Sequence, residues 1–142
     1  MKESKLNESG EFLWPIRVYY EDTDAAGVVF YANYLRYMER ARTEWLRSVG
    51  FEHKTLIDDH GILFAVKKLT IDYIKPGQLD DYLTVTSKLL SKRGASLIFQ
   101  QNINNEDGEL LSQAEVKVAC LNAITLKATP MPNDLLTELV KT

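Results

Sequence analysis

"YYEDTDAAGVVFYANYL", residues 19–35, decides how the rest of the chain is read. Glu21, Asp22 and Asp24 crowd together, and from Ala25 to Leu35 there is no charge at all. On the upstream side Trp14, Ile16, Val18 and Tyr20 alternate with Pro15, Arg17 and Tyr19, a period of two that predicts a strand over 14–20. On the downstream side the period changes. From about Asn33, the residues Leu35, Met38, Ala41, Trp45 and Val49 recur every third or fourth position, which predicts an amphipathic helix with that stripe inward. The spacings Glu39–Arg42 and Glu44–Arg47 predict i,i+3 ion pairs on its polar side. Gly50 is suited to the left-handed residue that ends a helix. The quoted stretch is therefore a strand-to-helix junction with its carboxylates at the joint.

Working outward, residues 52–60 read as a short helix closed by Gly61. Ile62, Phe64 and Val66 then alternate on one parity, and Leu69, Ile71 and Tyr73 on the other. That slip at Lys67–Lys68 predicts a bulge. Pro76-Gly77 is a turn signal, and Leu83, Val85, Ser87 and Leu89 form the next alternating run. Lys92-Arg93-Gly94 reads as a hairpin turn into Leu97, Phe99, Gln101 and Ile103. Asn105-Glu106-Asp107-Gly108 is a second turn, leading to Ala114, Val116, Val118 and Cys120. Pro130 and Pro132 break the chain before a short helix at 133–140. Short turns make neighbouring strands antiparallel. The economical arrangement is α+β: one five-stranded antiparallel sheet wrapped around one long helix on its concave face.

The chain has 142 residues, which suits a single domain over 1–142 with polar residues 1–11 as a tail. It is 45% hydrophobic, enough for a core, and its net charge of −3 argues against a nucleic-acid partner. Cys120 is the only cysteine, so no intramolecular disulfide forms. MKESKLNESGEFLWP holds no apolar signal core, and no charge-free run is long enough for integral membrane insertion, so a cytoplasmic protein is expected.

Three stretches carry a resemblance. YYEDTDAAGVVFYANYLRYMERARTEWLRSVG (19–50) is the specific one; IDYIKPGQLDDYLTV (71–85) and KRGASLIFQQNI (92–103) match more loosely. Together they make the chain resemble the 4-hydroxybenzoyl-CoA thioesterase family, and most nearly its small bacterial acyl-CoA thioesterases associated with the Tol–Pal envelope system. The resemblance implies the hotdog fold and hydrolysis of an acyl-CoA to a free carboxylic acid and CoA, with no metal and no cofactor. It assigns catalysis to Asp24, as general base or nucleophile. It also implies a homodimer, or a homotetramer of two dimers, with CoA phosphates near Lys92, Arg93 and Ser96, often across the subunit boundary. Tyr31 departs from the pattern, in VVFYANY where many members have VVYHANY.

The chemistry suits these residues. A thioester needs a group that attacks its carbonyl carbon or activates a water to do so, and donors for the oxyanion that follows. A carboxylate supplies the first, and the free N–H groups at a helix start supply the second. The backbone N–H near Tyr31 is the candidate donor. Small Ala25, Ala26 and Gly27 leave room for a ligand, and Val28, Val29 and Phe30 are expected to keep Asp24 dry. An aspartate here could equally be a turn residue bonding its own backbone. Asp22 is read as orienting the loop and Glu21 as solvated or paired with an arginine. A calcium loop fails because Ala26 and Asn33 stand where ligands are needed. Glu39 is a second carboxylate whose spacing favours an ion pair. His53 and His60 are read as surface residues, and Cys120 as a core residue. Two rival functions stand beside this one. An acyl-thioester dehydratase needs a catalytic histidine that neither His53 nor His60 supplies. A non-catalytic acyl-thioester-binding or scaffold protein linked to the cell envelope would have no need of Asp24.

Overall fold

The computed structural model describes residues 10–141. Five strands, β1 (Phe12–Arg17), β2 (Ile62–Tyr73), β3 (Tyr82–Arg93), β4 (Ser96–Asn104) and β5 (Leu110–Asn122), form one antiparallel sheet in the order β1-β3-β4-β5-β2. Three helices accompany it: α1 (Asn33–Ser48), α2 (His53–His60) and α3 (Asn133–Lys141). The expected α+β arrangement is present, with α1 on one face of the sheet. Most of the tail expected over residues 1–11 lies outside the described residues.

The inner face follows from strand parity. Leu83, Val85 and Ser87 of β3, Leu97, Phe99, Gln101 and Ile103 of β4, and Ala114, Val116, Val118 and Cys120 of β5 are all buried. Trp45 of α1 stacks on Phe12 at 5.8 Å between ring centroids and meets Phe99 edge-on at 5.6 Å. Burial raises the Cys120 thiol pKa, as befits a core residue. In β2 the register slips between Val66 and Lys68, leaving Lys67 unpaired where the parity change predicted a bulge. Gly50 and Gly61, both at positive φ, follow α1 and end α2.

Four expectations are corrected. The first strand ends at Arg17 instead of running to Tyr20, because the chain turns into a single 3-10 turn over Tyr20–Asp22 and leaves Tyr20 82% exposed. The buried stripe of α1 is Tyr34, Tyr37, Met38, Ala41, Trp45 and Leu46, so the helix is rotated from the predicted stripe; Leu35 is only half-buried. Arg42 turns inward to Gln101 instead of pairing with Glu39, whereas Arg47 does pair with Glu44 at 2.6 Å. The β3–β4 turn is Gly94-Ala95, which makes Lys92 and Arg93 the last residues of β3.

Gln101 is the polar centre of a mostly apolar inner face. Its amide nitrogen donates to the Met38 carbonyl and to the Ser87 hydroxyl, each at 2.9 Å, and its amide oxygen accepts from Arg42 at 2.8 Å. Gln101 and Ser87 are fully buried. An unpaired amide there would cost on the order of 1–3 kcal/mol, so the network fixes how α1 sits on β3 and β4. The helix packs over β1 and β3, and α2 lies on β2. The inner face of β2 is left partly open, with Val66 50% and Tyr73 45% exposed.

Candidate active site

Asp24 sits at the tip of a tight loop between the 3-10 turn and α1. Its backbone N–H donates to the Val28 carbonyl at 2.9 Å, and its own carbonyl accepts from Gly27 N–H at 3.0 Å. Gly27 has φ +78°, a conformation that a residue with a Cβ adopts only under strain. One carboxylate oxygen, Oδ1, accepts from Ala26 N–H at 2.9 Å. The other has no hydrogen-bond partner among the described residues. The local turn bond that any aspartate can make is thus present, and one oxygen is still spare.

The dry surroundings expected of Asp24 are not built by this chain alone. Val29 is buried, but Asp24 and Phe30 face solvent and Tyr31 is 61% exposed. The reason is local: Val29 plugs inward against Gly77, and the loop tip then has to project outward. Phe30, Tyr31, Tyr73 and Tyr34 form a chain of aromatic contacts beside it, with successive centroids 4.8, 5.9 and 5.6 Å apart.

Two side chains at the start of α1 clamp this loop at both ends. Asn33, buried, donates from Nδ2 to the Asp22 carbonyl at 2.8 Å, before Asp24. The Tyr34 hydroxyl, also buried, accepts the Gly77 N–H at 2.9 Å. Gly77 in turn accepts Val29 N–H at 2.7 Å, and Leu79 N–H donates to Gly27 at 3.2 Å. Burial raises the Tyr34 pKa against the opposing Gly77 hydrogen bond, with smaller contributions from Tyr73 and Asp81, so the hydroxyl stays neutral. Gly77 itself is tightly placed: a Cβ there would come within 3.2 Å of Val29 Cγ2. Asp22 orients the loop as read from the sequence, its carboxylate accepting the Tyr19 N–H at 2.9 Å while its carbonyl also holds Phe30 N–H. Glu21 is exposed. The Tyr37 hydroxyl is buried beside the Asp22 carboxylate without a well-formed hydrogen bond, and burial with that charge pushes its pKa well up.

The same clamp presents backbone donors. Asn33, Tyr34 and Leu35 N–H groups are used by the carbonyls of Phe30, Tyr31 and Ala32. The Tyr31 and Ala32 N–H groups have no acceptor among the described residues. They stand at the helix start, where partial positive charge accumulates. This start was legible as a change of period; the roles of Asn33 and Tyr34 were not, because their partners are fixed only by the folded loops.

The structure does not bring the basic residues to this loop. The Asp24 loop is tied to residues 77–79, just before β3, whereas Lys92 and Arg93 end β3. At strand rise, Tyr82 and Lys92 lie roughly 30 Å apart. Lys92 and Arg93 are exposed, and Ser96, opposite Arg93, is half-buried. Glu39, His53 and His60 are exposed. Among the described residues no three or more His, Cys, Asp or Glu side chains gather as a metal site, and no helix is long and apolar enough to cross a membrane.

A single sheet around one long helix, carrying an acidic loop at that helix's start, is the hotdog arrangement of thioesterases. Residues 18–139 match the thioesterase-like superfamily, and the chain belongs to it. The acyl-CoA thioester hydrolase YbgC of Shigella flexneri is 44% identical over 127 residues, covering 89% of this chain and 94% of that protein. The acyl-CoA thioesterase YbgC of Haemophilus influenzae is 44% identical over 124 residues, covering 87% and 90%. In three dimensions a probable thioesterase from Bartonella henselae superimposes with a TM-score of 0.82 at 33% identity, over 86% of this chain and 99% of that one.

The Tyr34 hydroxyl can be tested alone. Tyr34→Phe leaves the Gly77 N–H without its acceptor, and urea denaturation should show a stability loss of about 1–3 kcal/mol. An unchanged unfolding midpoint would mean the clamp is not formed.

Proposed function

We propose that the chain hydrolyses acyl-CoA thioesters to the free carboxylic acid and CoA, the activity for which its relatives are named. Asp24 supplies the carboxylate, either activating water or attacking the carbonyl carbon, and the Tyr31 N–H takes the oxyanion. One observation carries the reading: a carboxylate oxygen and two backbone donors, all without partners among the described residues, occur on one short loop that Asn33 and Tyr34 hold at both ends. Preorganised donors stabilise developing charge because they need no reorganisation when it appears. A cytoplasmic location belongs to the same reading, with the lone Cys120 reduced and buried.

The site is completed by a second copy. β1 is a short edge with Pro15 at its centre, which blunts it. β2 is an edge of 12 residues with inner-face Val66 and Tyr73 exposed. Pairing through β2 would cover that apolar surface and enclose the exposed Asp24 loop. It would also allow the partner's Lys92 and Arg93 to meet the CoA phosphates, which one protomer cannot do by itself. A tetramer would stack two such dimers.

Three outcomes are expected. Asp24→Asn should lower kcat at least ~10²-fold with circular dichroism and assembly unchanged; near-wild-type turnover would move the carboxylate role to Glu39. Lys92→Ala with Arg93→Ala should raise KM for acyl-CoA by roughly 2- to 30-fold with kcat nearly constant, because contacts remote from the thioester bind ground and transition states alike. That penalty should shrink with salt and vanish on an acyl-N-acetylcysteamine, which has no phosphates. Sedimentation should show a dimer or a larger assembly, and a stable, active monomer at micromolar concentration would sink the composite site.

A further inference from the structure

Between α1 and the open side of the sheet lies a cavity of about 300 Å³. Its walls are part apolar and part polar, with Trp45, Phe64 and Phe99 on the apolar side. Arg42 also lines it. This guanidinium carries five N–H donors. Among the described residues only one hydrogen bond uses them, from Nη1 to Gln101 at 2.8 Å, and its acceptor is a neutral amide. A desolvated cation is ordinarily matched by a hydrogen-bonded carboxylate. Here burial works against the charge and Glu39 supports it only through space. Glu39 and His53 also line the cavity, and both are exposed, so water weakens the repulsion Glu39 would exert on an incoming anion.

We propose that this cavity binds the carboxylate of an aliphatic acid, with the head group forked on Arg42 and the chain against the aromatic walls. The bidentate match between guanidinium and carboxylate is the contact Arg42 has the spare donors to make. A free aliphatic acid is also the class of molecule that thioester hydrolysis releases, so the cavity is a place where product is retained. The assignment depends on Arg42 and the cavity walls and not on the role of Asp24. In a dimer paired through β2 the partner would lie over the cavity mouth.

The test uses full-length protein and isothermal titration with octanoate and with octanamide, a neutral molecule of nearly the same shape. Octanoate should bind saturably and at least tenfold more tightly than octanamide. Arg42→Met should weaken octanoate at least tenfold and leave octanamide nearly unchanged. Arg42→Lys, a point charge without the fork, should fall between. Asp24→Asn should bind octanoate like wild type, which separates this site from the catalytic reading. Equal binding of the two probes, no saturable binding of octanoate, or undiminished binding by Arg42→Met would each overturn the proposal. Should Arg42→Met fail to fold, because Arg42 also anchors Gln101, the comparison of octanoate with octanamide on wild type decides.

Discussion

One helix is too narrow for the sheet it must cover. A helix with its side chains is about 10–12 Å across. Five strands, with four gaps of about 4.8 Å, span roughly 19 Å. The mismatch is settled on one side. Trp45 stacks on Phe12, and α1 sits over β1 and β3, where the apolar contact is best. The inner face of β2 therefore receives α2 and little of α1 beyond Tyr34 against Tyr73, and Val66 and Tyr73 stay exposed. The open inner face of β2 and the cavity beside Arg42 follow from that displacement.

What makes the displaced helix useful is the density of polar ties at its first turn. Most of α1 is held by burial, which is non-directional and tolerates small slides. Asn33 and Tyr34 add two directional bonds at the helix start, one to the segment before Asp24 and one to Gly77, whose carbonyl holds Val29. Gln101 adds a third farther along, through Met38. Apolar packing sets the depth of the helix, and these bonds set its rotation and register. A carboxylate and backbone amides that act on the same carbonyl need that second kind of control.

The parts of this molecule that were readable in the sequence are those ruled by local periodicity. The alternating runs of β3, β4 and β5, the bulge at Lys67, and the glycines at 50 and 61 each depend on neighbours a few positions away. The misreadings share a cause. Tyr34 and Tyr37 look amphipathic, yet the folded loops turn them inward, and Arg42 chose a glutamine 59 positions away over a glutamate three positions away. Tyr20 kept the alternating pattern after the backbone had already turned. The carboxylate of the candidate site was legible as a motif. Its exposure, and its separation from Lys92 and Arg93, were not, because both depend on sheet order and not on sequence spacing.

The unpaired Lys67 shows how face and sequence are kept in step. In a plain strand every residue added or lost turns all later side chains to the opposite face. β2 carries one extra residue and absorbs it in the bulge, so that Phe64 opposite Cys120 and Leu69 opposite Val116 both look toward the helix. The strand is in effect written in two frames joined by a silent letter. Pairing that letter into the ladder, with no bulge, would leave Ile62 to Val66 legible and turn Leu69, Ile71 and Tyr73 to the outside. The half of the inner face that now carries Leu69, Ile71 and Tyr73 would then carry Lys68, Thr70 and Asp72.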